Sequence, residues 1–339
     1  MYNTPRSITL FLGFLFILLL CYPLYGDLIF GSKSSFYMQK LTTIIIFAIL
    51  AMSLDLLVGV SGLVSMGHAL FFGFAGYVLA LISPEYDAAN IWIVLPAVLA
   101  SCAVIGLVVA FLTIKTSGIY FIMVTLAFGQ MAFYFFNDSD FAGGSDGMYI
   151  MMKPAVMLGD IQLLNLESKQ TIFYTSLACM ALVYLILRML LRSPFGQVLV
   201  GIHANEHRVK AIGYNTNHYK IVSFVIAATL AGLAGFLAAT QYGFVNPSQL
   251  GWHTSGYALM MVIMGGAGTI FGPALGAFVF EILHSFFESF TDHWLMLMGT
   301  VMIAVVLFLP NGIGGALLEF VRKLEKKPVQ AQDGEKSDG

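Results

Sequence analysis

Residues 192–220 read RSPFGQVLVGIHANEHRVKAIGYNTNHYK, a polar island between two apolar stretches that are each long enough to cross a bilayer. Within it Arg192, Arg208, Lys210 and Lys220 are set against the single acid Glu206, whereas the other long polar stretch, 137–170, carries five acids and two lysines. Lysine and arginine are retained on the cytoplasmic side of a membrane, so this asymmetry orients the chain. The island is expected inside and the acidic stretch outside.

Working outward, the 339 residues are 59% hydrophobic and 10% charged, far below the charged fraction of about a quarter in soluble domains. The composition predicts an all-α, polytopic integral membrane protein. A net charge of −2, with no basic patch interleaved with aromatic residues, argues against a nucleic-acid partner. Cys21, Cys102 and Cys179 lie inside apolar runs without metal-ligand spacing, and read as small buried hydrophobes with no metal site. Arg6 followed by the apolar run 8–20 imitates a signal peptide, but no small-residue cleavage site follows, so an uncleaved first span is expected.

A hydrocarbon core about 30 Å thick takes about 20 apolar residues per helix. Runs near that length predict about eight full spans at 8–25, 41–60, 66–83, 91–112, 119–136, 171–191, 220–241 and 293–310. With the N-terminus in the cytoplasm, alternation puts Glu85 and Asp87 outside, Lys115 inside, 137–170 outside and 192–219 inside. The segment 257–285 is too long for one crossing, and its middle reads GGAGTIFGP, from Gly265 to Pro273. Two short re-entrant helices that turn back at this Gly/Pro run would keep Arg322, Lys323, Lys326 and Lys327 inside. A tilted span kinked there is the alternative. Residues 1–318 then form one transmembrane domain, and 319–339 a polar, disordered cytoplasmic tail.

Small residues let helices approach closely in lipid, and Ala227, Ala231, Gly235 and Ala239 form an unbroken row at i, i+4 spacing, with Gly272 and Gly276 a second pair. The only internal echo, GHAL at 67–70 against GYAL at 256–259, is too short to signal duplication. Gly26 to Ser34 imitates a phosphate-binding loop, but one residue is inserted before Lys33 and no strand-loop-helix surrounds it. No HExxH, no GxSxG and no paired carboxylates on one span occur, which disfavours a membrane enzyme. Transport driven by ATP would need another chain as the motor.

Polar residues inside spans cost roughly 2.5–3.5 kcal/mol when charged at a helix centre, so each calls for a reason. Asp55 near the inner end of its span fits a capping role or a place on the transport path. His68 fits a hydrogen bond to a neighbouring loop, and Gln130 interhelical hydrogen bonding. Glu281 and His284 fall at the rim of the broken pair. The island reads as an amphipathic helix: Ser193 suits an N-cap, Pro194 the first helical position and Gly213 the stop. Val198, Leu199, Ile202, Val209 and Ile212 recur on one side of it. Such a helix suits either a cytoplasmic protein or the lipid headgroups.

From about Leu41 to Gly315 the chain resembles the LivM-type permease subunits of branched-chain amino acid ATP-binding cassette importers. The motifs that carry the resemblance are LDLLVG at 54–59 with Gly62, SMGH at 65–68 with Gly76 and Tyr77, GIYF at 118–121 with TLAF at 125–128, and GGSDG at 143–147. The island, GGAGT at 265–269 with Gly272 and Pro273, and PNG at 310–312 complete the set. The resemblance implies a multi-pass protein of the inner, cytoplasmic membrane that works with a paralogous, LivH-like second permease. Two ATP-hydrolysing subunits (LivG- and LivF-like), which bind ATP and Mg, and an external solute-binding protein would complete the importer. It further implies that Arg192, Ser193, Pro194, Phe195, Gly196, Ala204, Asn205, Glu206, Arg208, Ala211 and Gly213 form the loop that docks on the ATPase. Candidates for the translocation path are Asp55, Ser65, His68, Thr125, Gln130, Gly265, Gly266 and Gly268. The chain departs from the family pattern at Asp55, where asparagine is common, and at His203 and His207. Urea or short-amide permeases share these motifs, and an ion-coupled secondary carrier could also use Asp55 and a broken helix pair.

Overall fold

The computed structural model describes residues 6–84, 87–158 and 161–325. Helices dominate, because a chain this apolar can satisfy its backbone only internally. The run expected as one span at 8–25 is two helices, α1 (Arg6–Leu20) and α2 (Tyr22–Phe30), which part at Cys21. Pro23 explains the break: it has no N–H to donate to Leu19, and its ring excludes that carbonyl. α3 (Ser34–Asp55) begins seven residues before the apolar run and continues through a π turn at Leu56–Ser61. There follow α4 (His68–Ile82), α5 (Ile91–Thr113), α6 (Ile119–Asn137), α7 (Lys169–Arg192), α8 (Pro194–Ala211) and α9 (Thr216–Tyr242). The chain ends with α10 (Trp252–Gly265), α11 (Phe271–Glu288), α12 (Trp294–Phe308) and α13 (Gly312–Glu325).

Among the described residues, six helical stretches are long and apolar enough to cross a membrane: 34–61, 91–113, 119–137, 169–192, 216–242 and 294–321. The runs at 8–25 and 66–83 correspond to shorter apolar helices, Leu10–Leu20 and His68–Ile82. α4 is short because it starts inside the bundle. His68 meets Ser53 at 2.8 Å, eight residues or about 12 Å above the end of the π turn at Ser61. α13 carries the chain on as helix from 319 to 325, so the first seven residues of the segment expected to be a disordered tail are helical; residues 326–339, with Lys326 and Lys327, lie outside the described residues, as does Glu85.

α3 and α9 form the buried centre. The small-residue row on α9 is buried there, and Gly235 lies so close to the Phe72 carbonyl of α4 that a Cβ would overlap it. Gly232 stands in the same relation to Cys102 of α5, so the glycines set how near three helices approach. The acidic stretch 137–170 is not wholly irregular. It holds β1 (Met148–Tyr149), β2 (Ala155–Leu158) and β3 (Ile161–Asn165), and β4 (Phe244–Val245) follows α9. β1 pairs antiparallel with β4 and β2 with β3, so two small ribbons tie the loops on that side of the bundle together.

The segment expected as a broken pair is two helices that begin and end farther out than 257 and 285. α10 and α11 pack side by side, and the chain reverses between them at 266–270. Gly266 (φ +98°) and Gly268 (φ +79°) take backbone angles closed to other residues, and Ile270 (φ +51°) is the one non-glycine of positive φ among the described residues. A Cβ on Gly276 would overlap the Met261 carbonyl, and one on Gly265 the Gly272 carbonyl. Glycine is what allows the two backbones to touch.

Candidate functional site

Three groups of candidate residues meet at different depths of the bundle. The first surrounds the hairpin turn. Asp55, at the end of α3, is 2% exposed. Its Oδ1 accepts the Gly268 N–H at 2.7 Å. The carboxylate thus satisfies an amide that a buried turn would otherwise leave unpaired. Gly59, within the π turn, lies against the Gly268 amide and the Asp55 carboxylate, and Gly266 lies against the Asn311 carbonyl and Gly312. Motifs far apart in sequence, at 54–62, 265–273 and 310–312, therefore close one backbone knot. Asp55 is its cap.

The second group is at mid-depth. His68 is fully buried; its Nε2 meets Ser53 Oγ, and its Nδ1 has no partner among the described residues. The loop before it is held by Met66 N–H donating to Thr125 Oγ1 (3.2 Å) and Gly67 N–H to Ser65 Oγ (3.4 Å). The first turn of α4 also reaches α10, with Ala69 N–H donating to Ser255 Oγ at 2.9 Å. Ser65, His68 and Thr125 thus brace a junction of three helices. Gln130 is separate from them. Its buried amide nitrogen has no partner among the described residues, and it lines an open recess on α6 with Tyr134, Asp138 and Ser139.

The third group is the island. Ser193 Oγ accepts from the Gly196 N–H at 3.4 Å, and Pro194 opens α8. Gly196 abuts the backbone of Leu190 and Leu191, and Phe195 stacks on Tyr219 with ring centroids 5.4 Å apart. The single helix expected here is interrupted: Asn205 is extended (φ −163°, ψ 98°), and its Oδ1 caps the Arg208 N–H at 3.1 Å to start a second short helix. An Asn followed three residues later by the next helical amide is an N-cap signal that helical periodicity alone passes over. The break turns Ile212 away from its apolar row. Leu199 and Ile202 are buried, whereas Ile212 is 74% exposed beside exposed Ala204, His207, Arg208 and Ala211. Gly213 ends the helix at φ +96°.

Glu206 faces inward within this island. It accepts from Lys220 Nζ at 2.7 Å, Lys210 Nζ at 3.0 Å and Thr216 Oγ1 at 2.9 Å. Burial pushes its carboxyl up, but these hydrogen bonds and the Lys220 charge outweigh burial and hold it at about 2. Lys220, counted above as an orienting surface charge, is nearly buried as its partner. His203, which sequence left without a role, places Nδ1 3.2 Å from the Gly59 carbonyl, and its ring lies over Gly62 (φ +71°). The island thus touches the backbone that caps the hairpin turn.

The family model for the branched-chain amino acid transport system / permease component matches residues 36–306. The chain belongs to this family. LivM of Escherichia coli (strain K12), a high-affinity branched-chain amino acid transport system permease protein, is 26% identical over 291 residues, covering 80% of this chain and 68% of its own. A probable LivM of Methanocaldococcus jannaschii is 30% identical over 149 residues, 39% of this chain and 43% of its own. The E. coli LivH permease is 30% identical over 106 residues, 31% and 34% of the two chains. No solved structure matches. As a member of this family the permease is a multi-pass membrane protein whose motifs converge on the turn around Asp55.

Proposed function

We propose that the chain is one permease half of an ATP-binding cassette importer that carries amino acids, of the branched-chain class, across the inner membrane by alternating access. The observation that carries this reading is the family match over residues 36–306, with relatives of both LivM and LivH kinds. Two separate ATP-hydrolysing subunits bind ATP and Mg, an external protein delivers the substrate, and a LivH-like permease supplies the other half. Both termini lie in the cytoplasm, and eight crossings with a hairpin entering from outside satisfy the charge pattern.

The motor docks on the exposed face of the island around Ala204, Arg208, Ala211 and Ile212. A large apolar residue left in the open within a polar segment fits a protein contact. Movement there passes through His203 to Gly59 and the hairpin turn, a rigid-body route of the hinge and shear kind. Gln130, Tyr134 and Asp138 recur at i, i+4 and i+8 on one face of α6, and polar groups facing lipid are costly, so this face meets the second permease and water rather than lipid. The first turn of α10 adjoins it, with Trp252 and His253 exposed and no side chain capping the helix. A helix N-terminus favours an anionic group, which an amino acid carries and urea lacks.

Co-reconstitution of the two permeases, the ATPases and the binding protein in liposomes is expected to give ATP-dependent leucine uptake. Uptake of urea instead, or uptake by this chain alone on an ion gradient without ATP, overturns the reading. Replacing Gln130 with leucine removes an unpaired amide and costs no hydrogen bond to the protein. Uptake by Gln130→Leu is expected to fall about tenfold, with thermal stability and recovery of the second permease unchanged. Full uptake would remove Gln130 from the path.

A further inference from the structure

An apolar cavity of about 320 Å³ lies between α1, α3, α7 and α11, with Phe271, the first residue after the hairpin turn, among its walls. It exists because α1 diverges. At one end Leu19 and Tyr22 are buried against Phe173 and Leu177, with Phe16 packed on the same cluster, whereas toward Leu15, Gly13 and Leu12 the helix lines the void. The walls are mostly leucine, methionine, phenylalanine and alanine side chains, and polar side-chain atoms come from Tyr184 and Arg188. Arg188 is partly buried and has no ion-pair or hydrogen-bond partner among the described residues.

Its place on α7 gives the guanidinium meaning. Arg188 is one turn, about 6 Å, from Arg192 at the helix end, and the cavity runs from it along α7 to Met180, about 12 Å deeper. A fixed charge thus sits at the water boundary of a greasy slot that points toward the membrane centre. We propose that the slot holds one acyl chain of an anionic phospholipid, whose phosphate pairs with Arg188. An arginine can grip phosphate with two parallel hydrogen bonds, and an empty void of this size would leave its lining without dispersion contacts. The volume falls in the usual ligand-pocket range of about 300–1,000 Å³. A zwitterionic lipid such as phosphatidylcholine fills the slot and also carries a phosphate, but its own choline cation offsets that charge, so it pairs with the guanidinium more weakly.

The test is native mass spectrometry of the purified full-length chain with equal amounts of palmitoyl-oleoyl phosphatidylglycerol and phosphatidylcholine. The phosphatidylglycerol adduct is expected to be retained about tenfold better, the size of one charge-assisted hydrogen bond. Arg188→Gln is expected to abolish that preference and Arg188→Lys to keep most of it, which separates loss of charge from loss of fold. No heavy atom lies within 4 Å of a Cβ built on Gly13, so Gly13→Phe can fill the slot and is expected to reduce both adducts. A preference that survives Arg188→Gln, adducts unaffected by Gly13→Phe, or equal competition by glycerol phosphate overturns the proposal.

Discussion

Asp55→Leu is expected to leave almost no folded permease, with ATP-dependent uptake below a tenth of the parent value. The carboxylate accepts the Gly268 amide in a site that is 2% exposed. Each buried donor left without an acceptor costs about 1–3 kcal/mol, and native domains hold only about 5–15 kcal/mol in all. Asp55→Asn keeps an acceptor oxygen in the same place and is expected to retain uptake within about threefold. Fluorescence-detected size exclusion together with uptake measures both. A well-folded, active leucine variant would show that the turn stands without its cap. An asparagine variant as damaged as leucine would show that charge, and not hydrogen bonding, is what the site uses.

Glu206→Gln is expected to loosen the end of the island and the start of α9. The Lys220 ammonium, 9% exposed, would remain nearly buried with its anion gone, and stranding a buried charge is strongly destabilising, here by about 2–3 kcal/mol because Glu206 itself is partly exposed. Hydrogen exchange at amides 206–219 should rise, and uptake should fall while ATP hydrolysis persists. The same pair fixes a pH dependence. The folded carboxyl ionises at about 2 against an ordinary value of 4.5, so its stabilisation is complete above about 4.5 and is lost as pH falls toward 2. Exchange that rises at neutral pH and not on acidification would assign the stabilisation to another group. A Glu206→Gln protein with unchanged exchange would show that Lys220 finds another partner.

Length and apolarity made the membrane-spanning runs legible, and the reversal at 265–273 could be read from its glycines and proline, two of which, Gly266 and Gly268, take positive φ. Ser193 and Pro194 likewise announced the start of α8. What stayed hidden depends on contacts. Nothing local distinguishes Lys220 from the other basic residues of the island, since only the fold brings Glu206 to it. The role of His203 is equally tertiary, because its acceptor is a backbone carbonyl 144 residues away. Pro23 and Asn205 did carry local signals, a missing donor and a cap, yet both lie in runs whose periodicity continues across them. Hydrophobic pattern measures burial and is blind to a single reversed dihedral. The shortness of α4 follows from its starting beside Ser53, a depth that no composition encodes.

The knot around Asp55 also sets a timetable for biogenesis. Gly59 is made first, Gly266 and Gly268 much later, and Asn311 and Gly312 last of the three. Until the turn at 266–270 has emerged, the inner end of α3 waits in the membrane with its carboxylate unpaired, and until Asn311 and Gly312 follow, the α10–α11 hairpin waits without its floor. Contacts this distant along the chain close slowly, and the waiting state is the one exposed to misassembly. A nascent chain cut short before Asn311 therefore resembles a permanent version of that interval, and quality-control proteases of the membrane are its natural destination.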